Sequence, residues 1–402
     1  MRFLRTICRL IFGLTFIFSG IVKLLSPLGT SLIFKEYFAA MHLGALDGTA
    51  LFIGMLLAVT EFTLGICILL AVRIKITSTV ALCLSAFFTL LTLYLAIFNP
   101  ISDCGCFGEA IHLTNWQTFL KNLILLPCIF LLFMQRKKIA LIASPAVEWA
   151  FLGFFAAAGL ALWIHSFYYV PIWEFTPYRI GSLVACEDES DYNTTFLYQK
   201  DGKVESFDLE NLPDSTWTFY DSITEMTSEG SQYSDFMFFD QNENDITDQL
   251  LSSQMSVLIS IYDPAKLSED KWNKIADFSQ QVKNFGGELI VASSIVNEAI
   301  PEYFQQEVAF ADKRLLMTIN RSNGGATLFS DGYVAEKWSI TEMSNGLPDE
   351  MFEDDGESMV IKNSIKEHII GSILIVCILI SLVLIYYICK LSFKHNKKNE
   401  TK

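Results

Sequence analysis

The stretch RFLRTICRLIFGLTFIFSGIVKLLSP, Arg2–Pro27, decides how the chain is read. Arg2, Arg5 and Arg9 give it a basic start, and an apolar run follows. That pattern fits either a cleaved secretion signal or a retained membrane helix. No A-x-A-like cleavage site follows the run, which closes on Lys23 and Pro27. A retained helix is therefore expected.

The rest of the chain agrees. Hydrophobic residues make up 52% of 402, with a mean hydropathy of +0.38. Soluble domains hold about 45–50% apolar residues even with Gly counted. The excess lies in blocks, and crossing a bilayer takes roughly 20 mostly apolar residues. Six stretches qualify: Ile7–Leu25, Thr49–Val72, Ile76–Phe98, Trp116–Met134, Val147–Val170 and His368–Cys389. The fourth contains Lys121 and Asn122, and Pro127 should bend it.

Basic clusters orient these spans. Arg2, Arg5 and Arg9 precede the first, Arg73 and Lys75 separate the second and third, and Arg136–Lys138 separate the fourth and fifth. Lys390, Lys394, Lys397 and Lys398 follow the sixth. An alternating path puts all four clusters on one side, which the positive-inside rule makes cytoplasmic. Both termini, including the basic tail 390–402, are then inside. The loop DCGCFG, Asp103–Gly108, and the long segment 171–365 are outside. Trp116, Tyr168, Tyr169 and Trp173 fall near that outer surface and read as an interfacial belt.

Segment 171–365 carries 36 Asp and Glu against 12 Lys and Arg, a net of −24, whereas the whole chain stands at −15. An acidic outer part and a basic inner rim exclude nucleic acid as a partner, because a phosphate backbone attracts the opposite sign. Acidic stretches at Glu187–Asp191 and Asp349–Glu357 mark the edges of a folded part. Within it, TTFLYQKDGKVESFDL reads as two strands about an Asp201-Gly202 turn. DFMFFDQNENDITDQLL gives a short strand, a polar turn and a helix start, and MSVLISIYD a buried strand. SEDKWNKIADFSQQVKNFGG is a helix capped by Ser268, its apolar face Trp272, Ile275, Phe278 and Val282. ELIVASSI is a second buried strand, and GGATLFSDGYVAEKW a hairpin turning at Asp331-Gly332.

That order resembles a thioredoxin-like fold over about 230–340. Asp263–Lys266 stands where such domains carry C-x-x-C, and Gly324-Gly325 where they carry a cis-proline. Both departures count against thiol chemistry in this domain; a generic α/β binding domain is the alternative.

The loop NPISDCGCFGE, Asn99–Glu109, carries the chemistry that stays open. A C-x-C disulfide closes a small strained ring, which makes it easier to reduce. Cys104 and Cys106 are thus a candidate redox pair, a structural disulfide or turn, or, with His112, part of a metal site. The metal reading is third, because three candidate ligands fall short of the four a closed zinc site takes. Asp103 and Glu109 should raise the thiol pKa values. Cys186, just beyond the fifth span, is a candidate relay partner or a lone exposed thiol. Cys67, Cys83 and Cys128 read as packing residues. Glu61 lies mid-span, where an ionisable group is costly and marks either a functional acid or a protonated hydrogen-bonding group. Lys23 is expected to snorkel, too far from Glu61 in depth to pair with it. Asn115 is the expected cap of the fourth span.

Residues 1–135 resemble the DoxX family, in particular its branch containing the methylamine-utilisation protein MauE. The resemblance rests on Arg9, Gly13, Phe16, Ser19, Gly20 and Lys23, on Glu61 and Gly65 in EFTLGICILL, and most of all on DCGCFGEAIHLTNWQTFLKN. The remainder looks like an extension of the kind seen in DoxX-like proteins of Bacteroides-type bacteria. The implied fold is membrane all-α: a four-helix DoxX/MauE-like bundle (1–135), then further transmembrane helices at 147–170 and 368–389 flanking the extracytoplasmic α/β domain. The MauE branch implies thiol–disulfide chemistry or maturation of exported proteins. The wider family implies quinone-linked redox work, though the residues themselves name no cofactor. Expected partners are an exported protein substrate or a membrane redox partner, in the cytoplasmic membrane. The other class of function is a non-enzymatic assembly factor whose CGC turn is structural. A transporter is disfavoured, since no broken helices or inverted repeats are evident.

Overall fold

The computed structural model describes residues 2–101, 104–139, 143–184, 192–200, 203–208, 217–226, 236–253, 255–295, 299–305, 308–345, 358–366, 369 and 372. All but two residues of the sixth expected span, the basic tail, Asp103, Cys186 and both acidic stretches lie outside these residues.

Among the described residues, six helices build the membrane part: α1 Arg2–Leu25, α2 Pro27–Ala40, α3 Ala50–Leu70, α4 Ile74–Phe98, α5 Asn115–Gln135 and α6 Pro145–Tyr168. Five helical stretches are long and apolar enough to cross a bilayer, from Phe3–Leu25 to Pro145–Tyr168. The protein is a multi-pass membrane protein. α5 runs on through Pro127. α2, at 14 residues, is too short to span, and the hydropathy pattern passes over it.

Small residues set the register. Helices in lipid associate by close packing, which Gly permits. A Cβ on Gly65 would lie 2.6 Å from the Ile17 nitrogen, and one on Gly20 would lie 2.5 Å from the Phe62 nitrogen. α1 and α3 therefore touch backbone to backbone, with Gly20 level with Phe62. α1 ends five residues after that contact, while α3 extends twelve residues from Phe62 back to Ala50. The bundle is thus recessed above α1, and α2 and the 99–114 loop fill the recess. α6 also packs on α3, bringing Gly159 against Phe62, so the fifth span joins the bundle rather than only flanking it.

The second part is an α/β domain. β1 Tyr192–Lys200, β2 Lys203–Asp208 and β3 Thr218–Met226 form an antiparallel sheet ordered β2-β1-β3. Next come α7 Thr247–Ser252, β4 Ser256–Ile261, α8 Glu269–Asn284, β5 Glu288–Ser293, α9 Glu302–Gln305, β6 Val308–Phe310, α10 Lys313–Ile319, β7 Gly325–Ser330 and β8 Tyr333–Trp338. The main sheet runs β6-β5-β4-β7-β8, with β4, β5 and β6 parallel and β7 and β8 antiparallel. Trp272, Ile275, Phe278 and Val282 of α8 all bury against one face. Phe236, Phe238, Leu316 and Phe329 fill the other. Asp331 and Gly332 both take positive φ, 47° and 79°, as a two-residue hairpin with right-handed twist requires. Ser268 holds the N-cap position of α8, but its side chain makes no cap hydrogen bond.

Polar contacts hold the domain on one end of the bundle. The linker after α6 pairs with β8, through Gly181 N to Val334 O and Val334 N to Ser182 O. Lys337 on β8 forms a buried ion pair with Glu174, 2.7 Å apart. Residues 358–366 return as a helix, with Met359 and Val360 in the α8 core.

Candidate functional site

The middle of the 99–114 loop does not lie on the bundle surface. It descends into the recess above α1, because α1 stops short and the small residues of α1 and α3 leave room. Cys104 is 5% exposed, with its Sγ 3.2 Å from Thr118 Oγ1. Tyr37 of α2 donates its hydroxyl to the Cys104 carbonyl at 3.0 Å. The CGC part of the loop is thus tucked in and held on both sides, whereas its two ends, at Asn99–Pro100 and Ile111–His112, are exposed. Gly105 takes φ +61°, and a Cβ there would collide with Ile33 of α2. Only Gly meets both demands.

Below Cys106 the loop meets charge. The Cys106 carbonyl accepts from Ser19 Oγ at 2.7 Å and from Lys23 Nζ at 2.8 Å. Lys23 also donates to Glu61 Oε2 at 2.7 Å. That oxygen lies 2.8 Å from Ser19 Oγ, so the one Ser19 hydroxyl proton is shared between it and the Cys106 carbonyl. Lys23 and Glu61 are 5% and 3% exposed. Lys23 therefore does not snorkel. Depth judged from each helix's own ends misplaces it, because the α1–α3 register brings residue 23 alongside the middle of α3.

The two sulfurs differ. A hydrogen bond from Cys104 lowers the Cys106 pKa; burial works against this, and Lys121 and Lys23 add to the lowering. Giving that hydrogen bond raises Cys104, and burial raises it further. The pair thus has a thiolate-prone member and a protonated one. Glu109, expected to repel a thiolate, is committed elsewhere. Burial would raise its pKa, but Arg321 of the α/β domain and Ser26 outweigh that and hold it below the usual carboxylate range. Lys121 sits 4.2 Å over the Phe107 ring.

Cys106 opens onto a cavity of about 320 Å³ bounded by α1, α2, α3, α4 and α5, with a predominantly apolar lining. Ile33, Phe34, Phe87 and Phe88 form its walls; Ser19, Lys23 and Glu61 form its polar end. Among the described residues no group of three His, Cys, Asp or Glu side chains could hold a metal ion.

Residues 1–135 match the family model of the methylamine utilisation protein MauE. The match covers the recess, the CGC loop and the Lys23–Glu61 pair of this MauE-like bundle, but not α6 or the α/β domain. Residues 192–229, which include β1–β3, match a domain of unknown function, DUF8463. No curated protein and no solved structure matches the chain.

Of the residues singled out from the sequence, the fold gathers Cys104, Cys106 and Glu61 into one site in the MauE-like bundle. His112 is exposed and belongs to a crevice on the far side of the loop. Asn115 is not the cap of α5: Thr114 caps it in a reciprocal box with Gln117. Asn115 instead ties the loop down, donating to Asn99 and to the Ile101 carbonyl, both at 2.7 Å. Sequence reasoning missed Ser19 and Lys121 as site residues. Lys121 did leave a signal, a charge inside an apolar span, but it bears equally on where the span lies; Ser19 left none beyond its place in the resemblance.

Proposed function

We propose that this protein is a membrane thiol–disulfide exchange protein acting on exported proteins, with Cys106 as nucleophile and Cys104 as resolving thiol. The observation that carries this reading is the placement of Cys106 on the wall of an apolar cavity that Lys23 and Lys121 also line, with Lys23 on its carbonyl. A thiolate is the reactive form of cysteine, and nearby cations favour it. The Cys106 sulfur bonds to one sulfur of a substrate disulfide, and the other substrate sulfur leaves and takes a proton. Cys104, losing its proton, then displaces the substrate, which departs as a dithiol and leaves the Cys104–Cys106 disulfide. Run in reverse, the same steps put a disulfide into the substrate. Ser19 and Lys23 hold the Cys106 carbonyl and keep the loop seated through either direction.

The cavity suits a lipid-soluble partner such as a membrane quinone. Ile33, Phe34 and Phe87 would hold its ring, with Lys23 and Glu61 at its polar end. Such a group, when bound, supplies a two-electron, two-proton acceptor. The four basic clusters support an orientation with both termini in the cytoplasm and the CGC end outside, in the cytoplasmic membrane. The neighbourhood β5-β4-β7-β8 supports a thioredoxin-like reading of the α/β domain, which has no cysteine at Asp263–Lys266 and so serves as a docking surface.

The burial of Cys104 and the tight Gly105–Ile33 packing favour a second reading, a non-enzymatic assembly factor with a structural turn. Thiol trapping in growing cells separates the two. Exchange requires Cys104 and Cys106 to appear in both redox states, and a Cys104→Ser variant to accumulate mixed disulfides through Cys106. A pair that never changes state refutes the first reading.

A further inference from the structure

A second cavity, about 590 Å³, lies between the bundle and the α/β domain. α2 and residues 108–112 form one wall; residues 175–182 and α10 form the other. Ile33 belongs to the linings of both this crevice and the thiol cavity, and Gly105 packs against it. The crevice thus adjoins the thiol cavity at Ile33 and runs along the loop at Gly108 and Glu109.

Two ion pairs tie the domain to the bundle beside this crevice, and Glu36, Glu109, Arg179 and Arg314 line it with both signs of charge. Arg321 of the domain pairs with Glu109 of the loop, and Arg314 with Glu36 of α2 at 2.8 Å. The Arg314–Glu36 pair is open to water, with the Arg314 side chain 71% exposed, and such a solvated pair contributes little. It can be exchanged for contacts to an incoming ligand at little cost. Between the pairs, Leu32, Phe175 and Pro177 give apolar surface. A crevice with carboxylates, guanidinium groups and apolar patches suits a polypeptide backbone with its side chains. A small ion of one sign would meet an unfavourable wall.

We propose that this crevice is the docking groove for an extended, unfolded segment of the protein substrate, delivered beside the CGC loop. The proposal rests on the thiol-exchange reading for its purpose, but its test does not depend on thiol chemistry. The probe is unfolded ribonuclease A, its cysteines reduced and capped with iodoacetamide, titrated onto the full-length protein in nanodiscs at 0.15 M salt. Thr318→Trp fills the crevice from the domain side and Ala110→Trp from the bundle side, neither changing charge. Each should weaken binding at least tenfold. Tyr303→Ala alters a separate groove on the domain, formed with Pro264 and Trp272, and should leave binding within twofold. The proposal is overturned if wild type does not bind the capped chain, if both Trp variants bind like wild type, or if Tyr303→Ala alone removes binding. Loss of redox cycling with binding intact would strike only the thiol-exchange reading. Two variants on opposite walls guard against misfolding of either part.

Discussion

Lys23–Glu61 in the bundle and Lys337–Glu174 in the α/β domain are two ion pairs of nearly the same geometry. Both are 2.7 Å long, with side-chain exposures of 6% and 4% in the first and 2% and 4% in the second. Their surroundings differ. Lys23 also grips the Cys106 carbonyl and faces a cavity of about 320 Å³. The space beside Lys337 and Glu174 is about 10 Å³, room for a single water at most. Burial of a charge pair therefore does not mark function by itself. What sets the first pair apart is the free volume beside it, with the Cys106 sulfur at its edge, and on that the proposed function rests. We read Lys337–Glu174 as a staple between the linker and β8.

The largest effect that separates the two pairs is on exchange. Glu61→Gln and Glu174→Gln should each destabilise the protein by about 3–5 kcal/mol, since each takes the compensating carboxylate from a buried lysine. Replacing both partners by Met should restore most of that stability in either place. Exchange with a disulfide substrate should stay lost in the Lys23→Met/Glu61→Met protein and return in the Lys337→Met/Glu174→Met protein. Equal activity of the two double variants would erase the distinction drawn here. Melting curves alongside a thiol-exchange assay provide both readouts.

Acidity gives the next effect. Cys106 lies below the ordinary thiol value, so its thiolate is already present near pH 7. Its alkylation rate should change by less than about twofold from pH 7 to 9, where an ordinary thiol gains roughly 20-fold. Lys121→Met removes one of the cations responsible and should bring back part of that slope. A wild-type rate that climbs like a free cysteine would contradict the site as described.

Gly105→Ala tests the loop without touching a charge. The left-handed backbone alone should cost about 1–2 kcal/mol, and the clash with Ile33 adds to it. An Ala at Gly44, which meets no atom within 4 Å, is the matched control. The smallest effect belongs to the Glu109–Arg321 contact. Glu109 is depressed in the folded state, so its contribution is fully present above its unfolded value of about 4.3. It fades as pH falls through the lower folded value. Melting of the wild type should lose this increment on acidification below about pH 4, and an Arg321→Ala protein should show a shallower acid dependence.

How legible the molecule was varies by region. The long spans were readable because each needs only a run of apolar residues. The α8 face was readable because Trp272, Ile275, Phe278 and Val282 recur at helical spacing in one segment. α2 was not, being too short for a hydropathy signal. The α10 region and β6 were missed for the same reason of length. Within the site, Cys104, Cys106 and Glu61 stood out as residue types unusual for their surroundings. Lys23 was visible but misassigned, and Ser19 was silent, since a serine in a membrane helix is ordinary.

The sequence by itself determined the number and extent of the described spans, the C-x-C loop between two of them, and a separate α/β domain, because those follow from local composition and period. Only the tertiary structure decided that the loop is recessed, that Lys23 meets Glu61, and that Arg321 reaches across to Glu109. These are matters of relative helix height and domain placement. Height is set where Gly13, Gly20 and Gly65 let two backbones touch, and no single segment encodes which of its residues will end up level with another.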